Sequence, residues 1–393
     1  MAREPRYLHD PILKDLLEKM VFLGGPRQVG KTTFACDLLV PPKKLQYYNW
    51  DKLTQRKVAL RGQWIPDVPY VILDEFHKHS KWKTWIKGEF DTQKNRYHFL
   101  LTGSARLDLY RRGGDSLQGR YHYYRLHPFS LAEILKRGFQ GEPGREIRPL
   151  RDYLPSFHDD LMTLFHYGGF PEPFLKQSPT HLRRWHTERF ERLLREDIRD
   201  LTQIRDLGTL TLLSDLLPQK VGSILSINSL AEDLQVNFRT ISNWLDVFER
   251  FYYSFRLAPY ASKKIASVRK EKKLYLWDWS LIPNPGARWE NLVASHLLKF
   301  AHFLHDSAGW NIELYYLRDS TGREVDFLLC IDHRPWMAVE VKTDSRSLSK
   351  HLFYLRERLK IPYCYQVTAD RDTHYQKDGI TAISAARFLS ALV

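Results

Sequence analysis

A glycine-rich turn between an apolar run and a helical pattern constrains the fold of this chain more than any other feature. Residues 25–32 read Gly-Pro-Arg-Gln-Val-Gly-Lys-Thr and directly follow the apolar run 21–23. The glycines let the backbone turn tightly and point its N–H groups at an anion, and residues from Thr32 onward have helical spacing. Because a helix N-terminus favours anions, this pattern predicts a phosphate-binding loop on an α/β sheet. A glycine-rich turn that happens to precede Lys-Thr is the alternative.

Each residue of this loop has a predicted role in binding a nucleoside triphosphate. Lys31 is predicted to reach the β- and γ-phosphates and to act in catalysis, and the hydroxyl of Thr32 is predicted to ligate Mg²⁺. The loop backbone is predicted to surround the phosphates. The nucleotide-binding residues predicted on this basis are Gly25, Pro26, Arg27, Gln28, Val29, Gly30, Lys31, Thr32 and Thr33.

Two adjacent acids end the next buried run. Residues 70–73 read Tyr-Val-Ile-Leu and lead into Asp74 and Glu75. This pattern is typical of a Walker B element, in which Asp74 would hold Mg²⁺ through its water shell and Glu75 would polarise the attacking water. Ordinary surface acids at a strand end are the alternative. The phosphate-binding loop upstream favours the catalytic interpretation.

Polar residues also end a third predicted strand, at residues 98–106. The carboxyl ends of strands in an open parallel sheet converge on the ligand, so Thr102 or Ser104 is predicted to hydrogen-bond the γ-phosphate or the water. Capping of the next turn is the alternative for both residues. Four arginines follow as candidates for stabilising the transferred phosphate, in the same or a neighbouring subunit: Arg106, Arg111, Arg112 and Arg120. Arg120 is the preferred candidate, with a surface charge or a DNA-backbone contact as alternatives.

A helix-turn-helix pattern lies in the middle of the chain. Ser229 and Glu232 predict a capping box for the first helix, and Asn237 is predicted to cap the second. The second helix is predicted to face Arg239 outward, and residues 252–257 are predicted to form a β wing. Insertion of this helix into a DNA major groove is one interpretation. A winged helix that contacts only protein is the other.

Composition favours a nucleic-acid partner. The 393 residues include 60 Lys and Arg against 46 Asp and Glu, a formal net charge of +14. This excess favours DNA before an anionic membrane as a polyanionic partner. The basic run 263–273 is predicted to contact phosphates, with a solvated loop as the alternative.

Hydrophobic residues make up 43%, which excludes wholesale disorder. With no run of membrane-spanning length and no metal-ligand spacing of cysteines, we expect a soluble cytoplasmic protein without a membrane partner.

A second constellation of acids lies near the C-terminus. Glu290 is in the first turn of a predicted helix, Asp326 is on a predicted strand, and Glu340 and Lys342 share one face of the next strand. These residue types form the PD-(D/E)xK nuclease pattern. Glu290, Asp326 and Glu340 are predicted to bind Mg²⁺, and Lys342 is predicted to orient or activate the water, so that Glu340 and Lys342 are catalytic candidates. A Glu340–Lys342 ion pair in an inert domain is the alternative.

Taken together, the chain resembles a broad prokaryotic AAA+ ATPase family whose members join an ATPase domain to a C-terminal domain of unknown function with a restriction-endonuclease-like fold. The resemblance includes Gly-Gly-Phe-Pro-Glu at 168–172, Lys-Leu-Tyr-Leu-Trp-Asp at 273–278 and Gly-Arg-Glu-Val-Asp-Phe at 322–327. The other similar segments are 25–33, 72–75, 101–104, 119–120, 128–133, 229–234, 290–293 and 340–342. The family usually has Asp, a small residue and Gly where this chain has Asp278, Trp279 and Ser280.

The resemblance implies an α/β fold with four parts. These are an AAA+ ATPase core with a parallel sheet (1–137), a linker and helical lid (138–217), a winged helix (218–260) and a nuclease-like α/β domain (261–393). It further implies ATP and Mg²⁺ as cofactors, homo-oligomers such as a hexamer, and a link to DNA metabolism. The leading hypothesis is an ATPase that remodels or cleaves duplex or branched DNA. The alternatives are a nucleotide-switched DNA- or protein-binding regulator with a non-cleaving C-terminal domain, and an ATP-driven remodeller of a protein client.

Overall fold

The chain folds into two compact units. The computed structural model describes residues 6–104, 117–150, 152–198, 204–261, 272–344 and 346–393. Unit 1 comprises Met1–His127, Arg189–Ile204 and Arg250–Tyr252, and unit 2 comprises Pro128–Glu188, Arg205–Glu249 and Tyr253–Val393. The boundaries of the four domains expected from the sequence stay predictions.

Unit 1 is built on a parallel five-stranded sheet. Its strands are β1 (Met20–Gly24), β2 (Leu45–Asn49), β3 (Tyr70–Asp74), β4 (His98–Gly103) and β5 (Tyr121–Arg125). They lie in the order β2-β3-β4-β1-β5, and every neighbouring pair is parallel. Continuous apolar runs suit such strands, because parallel sheets are usually covered on both faces. The whole of β1 is buried.

Helices connect the strands of unit 1. They are α1 (His9–Leu16), α2 (Lys31–Thr33), α3 (Leu53–Leu60) and α4 (Trp82–Gln93), with short 3-10 helices at Pro42–Lys44 and Phe76–Lys78. Helix α2 continues as a π-helix at Phe34–Leu38. A second π-helix, Leu193–Ile198, also belongs to unit 1, although it lies far along the chain. An aromatic-rich core packs on one side of the sheet and includes Phe22, Trp64, Phe76 and Phe99.

Helices precede the large sheet in unit 2. They are α5 (Leu131–Ile134), α6 (Ser156–Tyr167), α7 (Pro171–Lys176), α8 (Pro179–Arg192), α9 (Leu207–Leu216), α10 (Ile227–Asp233) and α11 (Phe238–Arg250), with a 3-10 helix at Leu217–Lys220. The last residues of α8 and α11 belong to unit 1. The capping box predicted at Ser229 and Glu232 is wrong, because α10 begins at Ile227 and the hydroxyl of Ser226 accepts the N–H of Ser229 at 3.2 Å. Asn237 accepts the N–H of Thr240 at 2.8 Å, as expected of a cap.

The rest of unit 2 is organised around a mixed six-stranded sheet. A short antiparallel pair, β6 (Ser254–Leu257) and β7 (Lys273–Leu276), comes first, followed by a 3-10 helix at Trp279–Leu281 and the long helix α12 (Pro285–Ala308). The strands of the sheet are β8 (Ile312–Arg318), β9 (Glu324–Ile331), β10 (Arg334–Lys342), β11 (Tyr363–Thr368), β12 (His374–Lys377) and β13 (Ile380–Ser384). Their order is β12-β13-β11-β10-β9-β8, and β10-β11-β13 is the parallel part. Helices α13 (Lys350–Leu359) and α14 (Ala385–Leu389) complete the unit.

Among the described residues, no helix combines the length and the apolarity needed to cross a membrane.

Candidate functional site

The loop after β1 has the backbone geometry that its glycines predict. Gly25 lies so close to β5 that a Cβ atom there would come within 2.5 Å of the carbonyl oxygen of Leu126. Gly30 has φ +95° and stands immediately before Lys31, the first residue of α2. An L side chain at either position would be strained or would clash, so the two glycines allow the chain to turn from strand to helix within six residues of loop.

The ammonium of Lys31 lies against the loop that precedes it. Its Nζ donates hydrogen bonds to the carbonyl oxygens of Gly25 at 2.8 Å and Pro26 at 2.9 Å, and only 7% of the residue is exposed. Burial lowers the pKa of Lys31, while the charges of Glu75 and Asp74 oppose this effect. The lysine therefore presents a positive charge that is held at the loop and balanced by nearby acids.

Asp74 connects the loop helix with two neighbouring strands. Its Oδ2 accepts hydrogen bonds from the hydroxyls of Thr32 at 3.0 Å and Tyr47 at 2.6 Å, and its Oδ1 accepts one from the hydroxyl of Thr102. The carboxyl ends of β2, β3 and β4 thus converge on one buried carboxylate. Thr32 and Asp74 offer the hard oxygen atoms that Mg²⁺ prefers, so this pair fits the ion that the sequence predicts. Tyr47 was not predicted, because a tyrosine on an edge strand carries no recognisable signal.

Glu75 has a strained backbone conformation. It follows β3 with φ +59°, in the left-handed region that costs a non-glycine residue of the order of 1–3 kcal/mol. Burial raises the pKa of its carboxyl to about 7, and the charge of Lys31 opposes the rise. The ammonium of Lys78 lies 3.9 Å from its Oε2. Strain and a raised pKa at one residue are typical of a functional site.

Ser104 contacts a residue that sequence analysis missed. Its hydroxyl donates to Oδ1 of Asp197 at 3.2 Å, and Nη1 of Arg27 in the loop donates to the same oxygen, also at 3.2 Å. Asp197 lies on the π-helix Leu193–Ile198 and is 2% exposed. The sequence placed this segment in the helical lid and gave Asp197 no role. The apolar neighbours Leu193, Leu194 and Ile198 are the local sign that Asp197 is buried.

Arg120, the preferred candidate for stabilising the transferred phosphate, is not at this site. Arg120 precedes β5, at the amino end of the sheet, where its guanidinium pairs with both oxygens of Asp91 at 2.7 and 3.1 Å. The phosphate-binding loop follows the opposite, carboxyl end of β1, roughly 13 Å away along a five-residue strand. Arg120 therefore does not reach the loop of its own chain, and a role across a subunit boundary stays a prediction. Arg106, Arg111 and Arg112 lie outside the described residues.

The C-terminal acids meet on adjacent strands of unit 2. The N–H of Val341 on β10 donates to Oδ2 of Asp326 on β9 at 2.8 Å, and the N–H of Asp326 donates to Oε2 of Glu340 at 3.4 Å. The Nζ of Lys342 lies 2.7 Å from Oε1 of Glu340. The structure thus brings Asp326, Glu340 and Lys342 together, and the Glu340–Lys342 ion pair of the alternative interpretation is present.

A buried lysine occupies the space between these acids and Glu290. The Nζ of Lys273 lies 2.6 Å from Oε1 of Glu324, 3.4 Å from Oε1 of Glu290 and 3.8 Å from Oδ1 of Asp326. Lys273 is only 2% exposed, so the prediction that it contacts phosphates as the end of the basic run 263–273 is wrong. Residues 263–271 of that run lie outside the described residues.

These acids have protein cations as their partners, and their metal-binding role stays a prediction. Across the described ranges, no group of three or more His, Cys, Asp and Glu side chains is arranged to hold a metal ion. Burial and the charge of Asp326 raise the pKa of Glu290 to about 7, and burial and the charge of Glu340 raise that of Asp326 to about 7. Burial disfavours the charge of Lys273, but the surrounding carboxylates outweigh it and raise its pKa. Glu290, Asp326 and Glu340 therefore have protein cations as partners where three metal ligands were expected.

Comparison with known proteins divides the chain into three matched segments. Residues 17–135 match the family model described as AAA domain, residues 158–284 match Domain of unknown function (DUF8612), and residues 285–388 match Domain of unknown function (DUF4143). Among curated proteins, Uncharacterized protein MJ1637 of Methanocaldococcus jannaschii is 22% identical, covering 89% of this chain and 81% of that protein. Uncharacterized protein Rv2008c of Mycobacterium tuberculosis and Uncharacterized protein Mb2031c of Mycobacterium bovis are each 23% identical, covering 85% of this chain and 72% of theirs.

The AAA domain match agrees with the geometry of unit 1. A parallel five-stranded sheet with a phosphate-type loop after β1 is consistent with a P-loop nucleoside triphosphatase. The match over residues 17–135 supports an AAA-type ATPase family for this part of the chain.

Proposed function

We propose that this protein is a Mg²⁺-dependent ATP hydrolase with its catalytic site at the carboxyl edge of the five-stranded sheet. The observation that carries the proposal is the convergence of Thr32 and Asp74, whose side-chain oxygens are 3.0 Å apart directly after the loop that holds Lys31. A phosphate-binding loop, a hydroxyl and a carboxylate in this order are the parts that position a triphosphate for hydrolysis.

The residues of the site have separate roles in this reaction. Lys31 and the loop N–H groups bind the β- and γ-phosphates, and Thr32 and Asp74 would hold Mg²⁺, which neutralises phosphate charge when bound. Glu75 orients a water molecule and accepts its proton as the water oxygen bonds to the γ-phosphorus. The bond between that phosphorus and the bridging oxygen breaks, and ADP leaves. The hydroxyl of Ser104 donates its hydrogen to Asp197. Its oxygen is therefore proposed to accept a hydrogen bond from the attacking water.

Two substitutions test this proposal. Lys31→Ala should abolish ATP turnover because it removes the cation that binds the phosphates. Glu75→Gln should bind ATP but hydrolyse it at least about a hundredfold more slowly, since general-base catalysis is typically worth that much. Lys14→Ala and Glu18→Gln change exposed residues of the same types in unit 1 and serve as controls. Wild-type hydrolysis rates in both site variants would contradict the assignment.

We further propose that ATP hydrolysis acts on DNA. The net charge of +14 and the exposed Arg239 at the start of α11 support this step. A winged helix formed by α9, α10, α11 and the β6–β7 pair is the proposed DNA-binding module, and a homo-oligomer such as a hexamer is the proposed active form. DNA should stimulate the ATPase, and Arg239→Ala should weaken binding to a labelled duplex in fluorescence anisotropy. An ATPase rate that no DNA changes would favour a protein client as the substrate. The mass of the particle in sedimentation tests whether the protein is a homo-oligomer.

A specific observation favours the regulator with a non-cleaving C-terminal domain as a second candidate. We propose a restriction-endonuclease-like fold for this domain, supported by acids on adjacent strands of a mixed sheet. However, the ammonium of Lys273 lies among Glu290, Glu324 and Asp326, where a divalent cation would have to bind, so the donor set does not fit such an ion as it stands. We therefore expect no nicking of supercoiled or branched DNA with Mg²⁺ or Mn²⁺. Metal-dependent nicking that Lys342→Ala abolishes would restore the nuclease hypothesis.

A further inference from the structure

One acid of the nucleotide site comes from a distant part of the chain. Asp197 lies on the π-helix Leu193–Ile198, which belongs to unit 1 although unit 2 supplies Pro128–Glu188 before it. The residue is 2% exposed, so its carboxylate has almost no contact with solvent. π-Helical turns are rare and occur frequently at functional sites.

The carboxylate of Asp197 joins two parts of the proposed catalytic site. Its Oδ1 accepts hydrogen bonds from Nη1 of Arg27 in the phosphate-binding loop and from the hydroxyl of Ser104 after β4, each at 3.2 Å. We propose that Asp197 is a positioning residue for ATP hydrolysis, which sets the place of Arg27 and Ser104 around the terminal phosphate. The inference rests on the ATPase function proposed above and extends it to a third segment of the chain.

The cost of burying this carboxylate argues against a purely structural role. Its second oxygen, Oδ2, is buried and accepts no hydrogen bond within the described part of the chain. A buried polar atom without a partner costs about 1–3 kcal/mol, and a buried ion pair is weak evidence for stability. Arg27 is 30% exposed at its side chain, so the pair is only partly removed from solvent. Burial raises the pKa of Asp197, which indicates that the site disfavours its charge.

The position of Asp197 near the residues proposed to bind the phosphates explains why a buried carboxylate would be useful there. Asp197 contributes to the electrostatic surroundings of both Lys31 and Glu75, the two residues with the main roles in binding and hydrolysis. A free carboxylate here would repel a triphosphate. Paired with Arg27, it instead holds the guanidinium and the Ser104 hydroxyl in one orientation, which lowers the entropy lost when the phosphate binds.

Steady-state kinetics and a double-mutant cycle on the full chain test this role. Asp197→Asn keeps the size of the side chain and an oxygen for Ser104, but it removes the charge that holds Arg27. We expect kcat/KM for ATP to fall about ten- to hundredfold, since a hydrogen bond to a charged group is typically worth that factor. Arg27→Ala should cause a similar loss. The double variant should be no worse than Arg27→Ala alone, because both changes break one interaction.

Further measurements distinguish positioning from stability. Asp15→Asn is the matched control, since Asp15 accepts a 2.6 Å hydrogen bond from Tyr124 in the same unit but lies outside the proposed site. The Asp15→Asn variant should change the midpoint of thermal unfolding without changing kcat/KM for ATP. Two results would overturn the inference and leave the ATPase proposal standing. One is an unchanged kcat/KM in Asp197→Asn, and the other is a double variant in which the losses of kcat/KM from the two single changes multiply. A wild-type protein that neither binds nor hydrolyses ATP would overturn both.

Discussion

Replacement of Lys273 by methionine should destabilise the C-terminal unit strongly. Methionine has a similar length but no charge, so the variant would leave Glu290, Glu324 and Asp326 without the ammonium that lies 2.6 to 3.8 Å from each. Removal of one partner from a buried ion pair typically costs about 3–5 kcal/mol. Lys273 is 2% exposed, so water does little to offset the loss. Glu324 also lies 3.5 Å from Arg318, and we therefore expect the lower end of the range, about 3 kcal/mol.

Urea unfolding with a matched control measures this effect. Lys272→Met changes the neighbouring lysine, which is exposed, and alters the net charge of the protein by the same amount. Only Lys273→Met should lower the urea midpoint of the transition assigned to unit 2. The two units need not unfold together. The urea midpoints reported by separate probes are therefore compared, and no single free energy of unfolding is fitted. Equal midpoints for the two variants would refute the conclusion that Lys273 stabilises unit 2 through its ion pairs with the acids.

The same variant tests whether the ammonium stands where a metal ion would bind. Without nucleotide, wild-type protein should bind no Tb³⁺ at this cluster, whereas Lys273→Met frees three carboxylates, the type of ligand that hard cations prefer. Tb³⁺ luminescence should therefore become saturable in the variant and be lost again when Asp326→Asn is added. A saturable signal in the wild type that Asp326→Asn removes would show that the cluster accepts metal beside Lys273.

Three further predictions follow from local geometry. Gly25→Ala should abolish ATP binding in a fluorescent-nucleotide titration, because its Cβ would meet the backbone oxygen of Leu126 at 2.5 Å; wild-type affinity would contradict this. Burial raises the pKa of Glu75 to about 7, so kcat/KM for ATP, which reports ionisations of the free enzyme, should fall about tenfold per pH unit below that value as the base is protonated; a flat kcat/KM profile would remove Glu75 from that role. Burial lowers the pKa of His296 from 6.5 to about 4, so folding favours its neutral form and stability is lost as the pH falls below 6.5. Between pH 8 and pH 5 this loss in the free energy of unfolding amounts to about 2 kcal/mol. In His296→Gln the free energy of unfolding should fall by about that much less over the same pH range.

The strand, glycine-rich turn and helix of residues 21–33 and the polar residues at the ends of β3 and β4 were predictable from the sequence, because they depend on neighbouring residues. That the strands ending at Gly24, Asp74 and Gly103 lie side by side was decided by the tertiary fold, since β1 pairs with β4 and not with β2. The role of Arg120 in its own subunit was not predictable from spacing, since a residue before a strand and one after it lie at opposite edges of the sheet. The start of α10 was misplaced by three residues, because Ser226 and Ser229 are equally good caps by residue type.

What the sequence by itself determined is the chemistry encoded in contiguous residues: the loop of residues 25–32, the acids after β3, and Glu340 and Lys342 on one strand. Only the tertiary structure decided which distant groups share those sites. Asp197 is 170 residues from Arg27, and Lys273 ends a basic run that the sequence assigned to phosphate contact. The physical reason is that backbone turns depend on local torsion angles, whereas the partner of a buried charge depends on where the folded chain brings its counter-ion.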